Sequence, residues 1–177
     1  MSRTYKAVPE VINLPSSELA AEMGLPATSS GAPRLIIGRR EWLALPDLGL
    51  FPLNAKTDSG ARSSSLHAEN ITLSPDQSTV RFTTFNFHGT ATECETEVIR
   101  FGRVRSSTGL VQKRIFIQTT AHVSGNFRWT ILVSLTNRAD MHCSLLLGRR
   151  ALAGFFLIDP LGTHLLGTRR QLEQSIL

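Results

Sequence analysis

The most informative segment of this 177-residue chain reads Ala55-Lys56-Thr57-Asp58-Ser59-Gly60-Ala61. Asp58 supplies a carboxylate, and the hydroxyl of Ser59 can form a hydrogen bond that braces the loop. Gly60 lets the backbone turn where a side chain would clash. The same residue types also make an ordinary turn. A second feature is therefore needed to decide whether this loop has a catalytic role.

That feature is a run of leucines far downstream, closed by glycine and arginine: Leu145-Leu146-Leu147-Gly148-Arg149-Arg150-Ala151-Leu152. By itself, such a run predicts only a buried strand. In retroviral-type aspartic peptidases, however, a hydrophobic strand ending in Gly-Arg follows the loop of the catalytic aspartate and packs beneath it. The two segments of this chain occur in that order, with β-rich sequence between them. Together they resemble an aspartic peptidase site supported by Leu147, Gly148 and Arg149.

Longer segments extend the resemblance over roughly residues 35 to 167: Ala55–Ala68, Leu135–Met141, Leu146–Leu152 and Phe155–Pro160. They resemble the bacterial family labelled ATP-dependent zinc proteases, of the RimK-associated type. The resemblance implies a retropepsin-like fold and an aspartic peptidase activity. It also implies an association with an ATP-grasp glutamate ligase that modifies a ribosomal protein. Ser59 stands where many members have threonine, which also carries a hydroxyl.

The zinc and the ATP in that family label have no counterpart in the sequence. Zinc peptidases use two histidines one helical turn apart beside a glutamate, whereas the five histidines and two cysteines of this chain are scattered. A glycine-rich phosphate loop ending in Lys-Ser/Thr is also missing. We therefore expect neither a metal nor a nucleotide cofactor, although a zinc site assembled from distant residues stays open.

A single Asp-Ser-Gly motif has a consequence for the assembly. Aspartic peptidases need two carboxylates about 3 Å apart that share one proton, so that one acts as a base and the other as an acid. The remaining aspartates do not lie in such loops: Asp47, Asp76, Asp140 and Asp159. A two-fold symmetric dimer would bring two copies of Asp58 together. We therefore expect an obligate homodimer with Asp58 as the catalytic residue of each subunit.

The residues around Asp58 are expected to form the active-site loop: Thr57, Ser59, Gly60, Ala61 and Arg62. Lys56 and Arg62 either depress the pKa of Asp58 or point outward. By analogy with retropepsin-like chains, Arg149 is expected to pair across the dimer. His67 is equally compatible with a packing role and a functional role.

Alternating apolar and polar residues predict an all-β fold. Four segments are rich in Val, Ile, Thr and Phe and are bounded by turn residues: 78–87, 92–101, 111–120 and 127–135. Many short strands favour a closed β-barrel of the retropepsin-like type. One short C-terminal helix is expected from near Gly148 to about Ala153.

Three parts are expected along the chain. Residues 1–33 read as an N-terminal arm with one short helix and a linker, either disordered or docked on the partner subunit. Residues 34–167 form the β-barrel domain, and residues 168–177 form a C-terminal tail. Two hairpins are candidates for a flap over the site, namely Asn86–Thr90 and Arg103–Gly109.

Composition places the chain among soluble cytoplasmic proteins. The hydrophobic fraction is 41%, and no run approaches the ~18 apolar residues that span a bilayer. No apolar segment follows the first residues, so a secretory signal is not expected. The two cysteines are expected to be reduced thiols in a cytoplasm.

The charge distribution is compatible with an acidic partner and equally with a solvated barrel exterior that has no partner. The formal net charge is +5, and residues 100–150 contain nine Lys or Arg but one acid, Asp140. A groove of that sign attracts acidic peptides by long-range steering, and the family resemblance makes a glutamate-tailed peptide a reasonable substrate. Nucleic acid is less favoured, because aromatic residues do not interleave with the basic ones. The alternative to a peptidase is a non-catalytic basic β-barrel that binds acidic protein or RNA.

Overall fold

The computed structural model describes residues 34–105 and 109–176. The predictions for the arm at residues 1–33 therefore lie outside the described residues. The tip of the second flap candidate, residues 106–108, lies outside them as well.

Short β-strands make up most of the described chain, which confirms the all-β prediction. The first six strands are β1 (Leu35–Gly38), β2 (Arg40–Leu45), β3 (Leu50–Asp58), β4 (Ser64–His67), β5 (Glu69–Leu73) and β6 (Thr79–Phe85). The others are β7 (Ala91–Glu97), β8 (Arg100–Arg105), β9 (Val111–His122), β10 (Arg128–Thr136), β11 (Leu145–Gly148) and β12 (Phe156–Asp159). Two α-helices follow β11 and β12, namely α1 (Arg149–Leu152) and α2 (Arg169–Ile176).

The main sheet has seven strands in the order β10-β4-β11-β3-β2-β9-β8. Because β9 also pairs with β10, the pairings of six of these strands form a closed circuit, with β8 attached outside it. A three-stranded sheet, β5-β6-β7, and a parallel pair, β1-β12, complete the fold.

The hydrophobic core is formed by buried side chains of this circuit of strands together with others from β1, β6, β7, α1 and β12. Side chains alternate between the two faces of a strand, so Leu53 and Ala55 of β3 are fully buried while Lys56 is exposed. Trp129 of β10 is also fully buried, and its indole N–H donates to the carbonyl of Ala151 at 2.9 Å. Burial of each large apolar side chain contributes roughly 1.5–3 kcal/mol.

The position of β11 brings the two sequence motifs together. This strand lies between β3 and β4, parallel to the first and antiparallel to the second. Its register places Leu147 opposite Thr57 and Gly148 opposite Asp58. The leucine run therefore ends beside the aspartate loop, and α1 begins there.

Two details of the prediction need correction. The segment 92–101 is two strands, because the chain leaves β6 after Glu97 and β8 then pairs with β9 in the main sheet. The short helix near Gly148 is present as α1, but α2 is a second helix in the predicted tail. Thr168 and Gln171 cap the start of α2 reciprocally, with Thr168 N–H donating to Gln171 Oε1 and Gln171 N–H to Thr168 Oγ1. Leu172 of this helix is fully buried.

Candidate active site

Asp58 ends β3 and is held by the loop that follows it. Its Oδ1 accepts hydrogen bonds from the backbone N–H groups of Gly60 and Ala61, both at 3.0 Å. The other oxygen, Oδ2, accepts no hydrogen bond from any described residue. The loop thus orients a half-buried carboxylate and keeps one oxygen available for a ligand.

Arg149 is the main brace of this loop. Its guanidinium donates from Nη1 to the carbonyl oxygens of Ser59 and Gly60, at 3.0 and 3.3 Å. We expected the hydroxyl of Ser59 to brace the loop, but the structure shows no hydrogen bond from that hydroxyl to the described residues. A Cβ on Gly60 would lie 3.3 Å from Asp58 Oδ1, so the missing side chain leaves room for the carboxylate.

The backbone at the start of α1 also binds the loop. The N–H groups of Arg149 and Arg150 donate to the carbonyls of Ala61 and Arg62, at 2.8 and 3.3 Å. Arg149 was expected to pair across a dimer; within one chain, it fastens the aspartate loop to the helix. Thr57 ties the loop to β1, with its hydroxyl donating to the carbonyl of Gly38 at 2.8 Å.

Gly148 allows the closest approach at this site. Its N–H donates to Ser64 Oγ at 3.1 Å. A Cβ added to Gly148 would lie 2.4 Å from the carbonyl carbon of Ser63, which is backbone and can yield only if β4 moves. The sequence shows a conspicuous glycine here, but only the packing explains why the position is glycine.

We expect Gly148→Ala to destabilise the protein by about 2–3 kcal/mol, since overpacking against backbone forces the strands apart. It should also reduce any activity that depends on the Asp58 loop. Urea denaturation measures the first effect. Ala153→Ser, at an exposed neighbouring position, is the matched control, and equal unfolding midpoints for the two variants would contradict the prediction.

The other candidate residues have structural partners. His67 is buried, and its Nδ1 accepts the backbone N–H of Arg138 at 2.9 Å while Nε2 lies 3.3 Å from Glu69 Oε1. Asp47 accepts the N–H of Thr120, and Asp159 accepts that of Leu161. These contacts favour a packing role for His67 and assign the two aspartates to loop structure.

Asp76 lies in the turn after β5. Ser74 and Ser78 donate to its carboxylate, and these hydrogen bonds lower the pKa of Asp76 to about 2. This aspartate is therefore a turn residue. The first flap candidate is likewise a closely bonded turn, in which Asn86 Oδ1 accepts the N–H groups of His88 and Thr90.

A cationic cleft lies on the Asp58 side of the sheet. It has a volume of about 310 Å³ and is lined by Arg39, Arg40, Lys56, Arg138, Met141, His142 and Cys143. Lys56 and Asp58 are two residues apart on β3, so their side chains leave the same face of that strand. Of the nine basic residues in the segment 100–150, Arg138 alone lines the cleft.

Arg138 is the half-buried cation of this cleft. Its guanidinium donates to Ser65 Oγ at 3.1 Å and to the carbonyl of Cys143 at 3.4 Å. Burial lowers the pKa of Arg138 from its ordinary value, while interactions with Cys143 and Asp58 raise it. From the sequence, Arg39, Arg40 and Arg138 were not expected to be site residues. The available signal was the place of Arg138 in the motif segment 135–141.

A family model, described as the RimB-like retropepsin-like aspartic endopeptidase, matches residues 36–167. The chain belongs to the RimB-like family. The matched range contains the aspartate loop, the leucine run and the cationic cleft. The sequence resembled a family labelled as zinc proteases. Neither the description of the matching family model nor the names of the curated relatives given below support a dependence on zinc.

Curated relatives of the RimB-like chain carry a different name. A protein of Parasynechococcus marenigrum named "probable alpha-L-glutamate ligase" is 38% identical over 144 residues, covering 78% of this chain and 30% of the relative. A protein of the same name from Shewanella pealeana is 36% identical over 146 residues, covering 79% and 31%. The chain thus spans about a third of the length of these relatives.

A solved structure supports the fold. The crystal structure of Lpg0085 from Legionella pneumophila, a protein of unknown function, matches with a TM-score of 0.60 and 35% identity. The match covers 74% of this chain and 97% of the other.

Neither a metal-binding cluster nor a membrane-spanning helix is found among the described residues. No group of three or more His, Cys, Asp or Glu side chains in residues 34–105 and 109–176 is placed to hold a metal ion. Within the same ranges, no helix is both long and apolar enough to cross a membrane.

Proposed function

We propose that this RimB-like protein is an aspartic endopeptidase whose active site is shared by two copies of the chain. The observation that carries the proposal is the geometry of the Asp58 loop. The carboxylate is fixed by two backbone N–H groups, and the loop is fastened by Arg149 to the helix that follows Gly148.

The chemistry follows from a pair of such carboxylates. Across a two-fold axis, two Asp58 side chains share one proton, because like charges so close cannot both be ionised. The ionised carboxylate takes a proton from water, which attacks the peptide carbonyl, and the protonated one donates to the carbonyl oxygen. The closed circuit of strand pairings supports a retropepsin-like barrel as the rigid support of the loop.

The proposed substrate is an acidic peptide. The cleft beside Asp58 is lined by four Lys or Arg side chains, and such a concentration of one charge attracts the opposite charge. The relatives are named as glutamate ligases, which supports a glutamate-tailed protein as the target.

The cleft also favours a second candidate function. A protein that kept this scaffold without a working carboxylate pair would use the same cations to bind an acidic protein and leave it intact. The two functions differ in whether binding leads to cleavage.

A subunit-mixing experiment tests the shared site. When equal amounts of wild-type and Asp58→Asn chains exchange subunits, about a quarter of the dimers keep two Asp58 side chains. Hydrolysis per wild-type chain should therefore fall to about half. Mixing with Arg170→Gln chains, altered at an exposed position of α2, should leave the rate per chain unchanged. If the rate per wild-type chain stays the same when Asp58→Asn chains are added, each chain works alone.

A further inference from the structure

We propose that the cationic cleft is a subsite that binds a substrate carboxylate within one or two residues of the cleaved bond, through Lys56 and Arg138. The inference rests on the proposed peptidase function and assigns the residues of that site that select the substrate. The position of the charge matters, because a charge far along the peptide does not replace a charge next to the cleaved bond.

The strand register sets the distance between the cleft and the aspartate. Lys56 lies opposite Arg40 of β2 and opposite Leu146 of β11, and paired residues face the same side of a sheet. Lys56 is two residues before Asp58, which corresponds to about 7 Å along a strand. An extended peptide advances by the same amount over two residues. A side chain near the cleaved bond therefore reaches Lys56.

No cation of the cleft forms a salt bridge within the described part of the chain, although the carboxylate of Asp58 acts on Arg138 electrostatically and opposes the lowering of its pKa by burial. The ion pairs among the described residues join His67 to Glu69 and Arg81 to Glu95, and neither involves a cleft residue. Among the described residues, the guanidinium of Arg138 donates to the neutral oxygens of Ser65 and Cys143. Several like charges in one concave site repel one another, and a bound carboxylate would offset that repulsion.

Arg138 is held in position before any ligand arrives. Its backbone N–H donates to His67 Nδ1, and its guanidinium donates to Cys143 at one side and Ser65 at the other. A guanidinium has five N–H donors in a fixed planar arrangement that matches a carboxylate. Because the side chain is already ordered, little conformational entropy is lost when it binds one.

The carboxylate has two possible sources. It is either the side chain of a glutamate or aspartate, or the α-carboxylate at the end of the peptide. The first source corresponds to cleavage within an acidic chain and the second to trimming from its C-terminus. Both place the same chemical group in the cleft.

The test measures peptide binding by calorimetry in an Asp58→Asn background, so that no peptide is consumed. Three peptides are compared: an acetylated glutamate oligomer with an amidated end, its glutamine counterpart, and the glutamine peptide with a free carboxylate end. Lys56→Met and Arg138→Met are the site variants. Arg170→Met, at an exposed position of α2, removes the same charge elsewhere.

We expect Lys56→Met to weaken binding of the carboxylate peptide by about tenfold or more, as loss of one partner of a close charge pair does. Arg138→Met should have at least as large an effect, and Arg170→Met should change the Kd by less than about twofold. Binding by the amidated glutamate oligomer identifies a side-chain carboxylate, and binding by the free-ended glutamine peptide alone identifies a terminal one. Both results support the subsite.

The subsite is overturned if no carboxylate peptide binds better than the amidated glutamine peptide, or if Lys56→Met binds as Arg170→Met does. Lys56 is exposed, so Lys56→Met keeps the test valid even if Arg138→Met fails to fold. The proposed function fails separately, when a glutamate peptide binds through Lys56 but the wild-type protein never cleaves it.

Discussion

Asp58→Asn is expected to lower the rate of peptide hydrolysis by about 10³-fold or more while the protein stays folded and still binds peptide. Asparagine keeps an Oδ1 that can accept the N–H groups of Gly60 and Ala61, so the loop geometry survives. It cannot lose or gain a proton near neutral pH. General acid–base catalysis by a positioned side chain is worth about 10²–10⁴, and this variant removes both roles from the symmetric pair.

The measurement is kcat/KM with a fluorogenic acidic peptide, together with the Kd of the same peptide and the unfolding midpoint. Asp140→Asn is the matched control, because this aspartate lies exposed in a loop and the chemical change is identical. Unchanged hydrolysis in the Asp58 variant would refute the peptidase mechanism. Binding without cleavage in the wild-type protein would favour the binding module.

Glu41→Ala is expected to cost about 3–5 kcal/mol of stability, the largest effect we expect outside the aspartate. Glu41 is fully buried. Its carboxylate accepts the backbone N–H groups of Gly38 at 2.6 Å, Leu165 at 3.0 Å and Leu166 at 3.1 Å. Each buried donor left without a partner costs about 1–3 kcal/mol. The change would leave the segment after β12 held here by two backbone hydrogen bonds, from Arg39 N–H to Gly162 and from His164 N–H to Arg40.

Urea denaturation of Glu41→Ala, Glu41→Gln and Glu97→Ala measures this effect. Glutamine keeps one acceptor oxygen but turns an N–H group toward a backbone donor. Glu41→Gln should therefore lower the free energy of unfolding, but by less than Glu41→Ala does. Glu97 is exposed on β7, and its replacement should change stability by less than about 0.5 kcal/mol. A Glu41→Ala protein as stable as Glu97→Ala would mean that the three N–H groups find other partners.

Local patterns were enough to predict strands at the positions of β6, β7, β9 and β10, together with the leucine strand β11 and the helix α1. Alternation reports which face of a strand is buried, and the segments 111–120 and 127–135 correspond to β9 and β10. The same alternation carries no information about the partner of a strand, so the change of sheet between β7 and β8 was missed. The capping residues Thr168 and Gln171 were visible in the sequence and could have predicted α2.

The sequence predicted only those parts of the candidate site that lie in short motifs, because it does not show which distant segments pair. Asp58, the loop around it and the segment from Leu147 to Arg149 come together in the fold. Arg39 and Arg40 lie far from Arg138 in the chain, and apart from the place of Arg138 in the motif segment 135–141 nothing local distinguishes these residues from surface cations. The role given to the Ser59 hydroxyl belongs instead to a guanidinium ninety residues away in sequence.

The sequence by itself determined the aspartate loop, the leucine run with its Gly-Arg ending and their family, because each of these is a short pattern in which residue types and order carry the information. The tertiary structure alone decided which backbone atoms Arg149 and Glu41 bind, why Gly148 admits no side chain, and which cations surround the cleft. Those facts depend on strand pairing between residues far apart in the chain. Pairing is decided by how the whole set of strands buries its apolar faces, and no short segment contains that information.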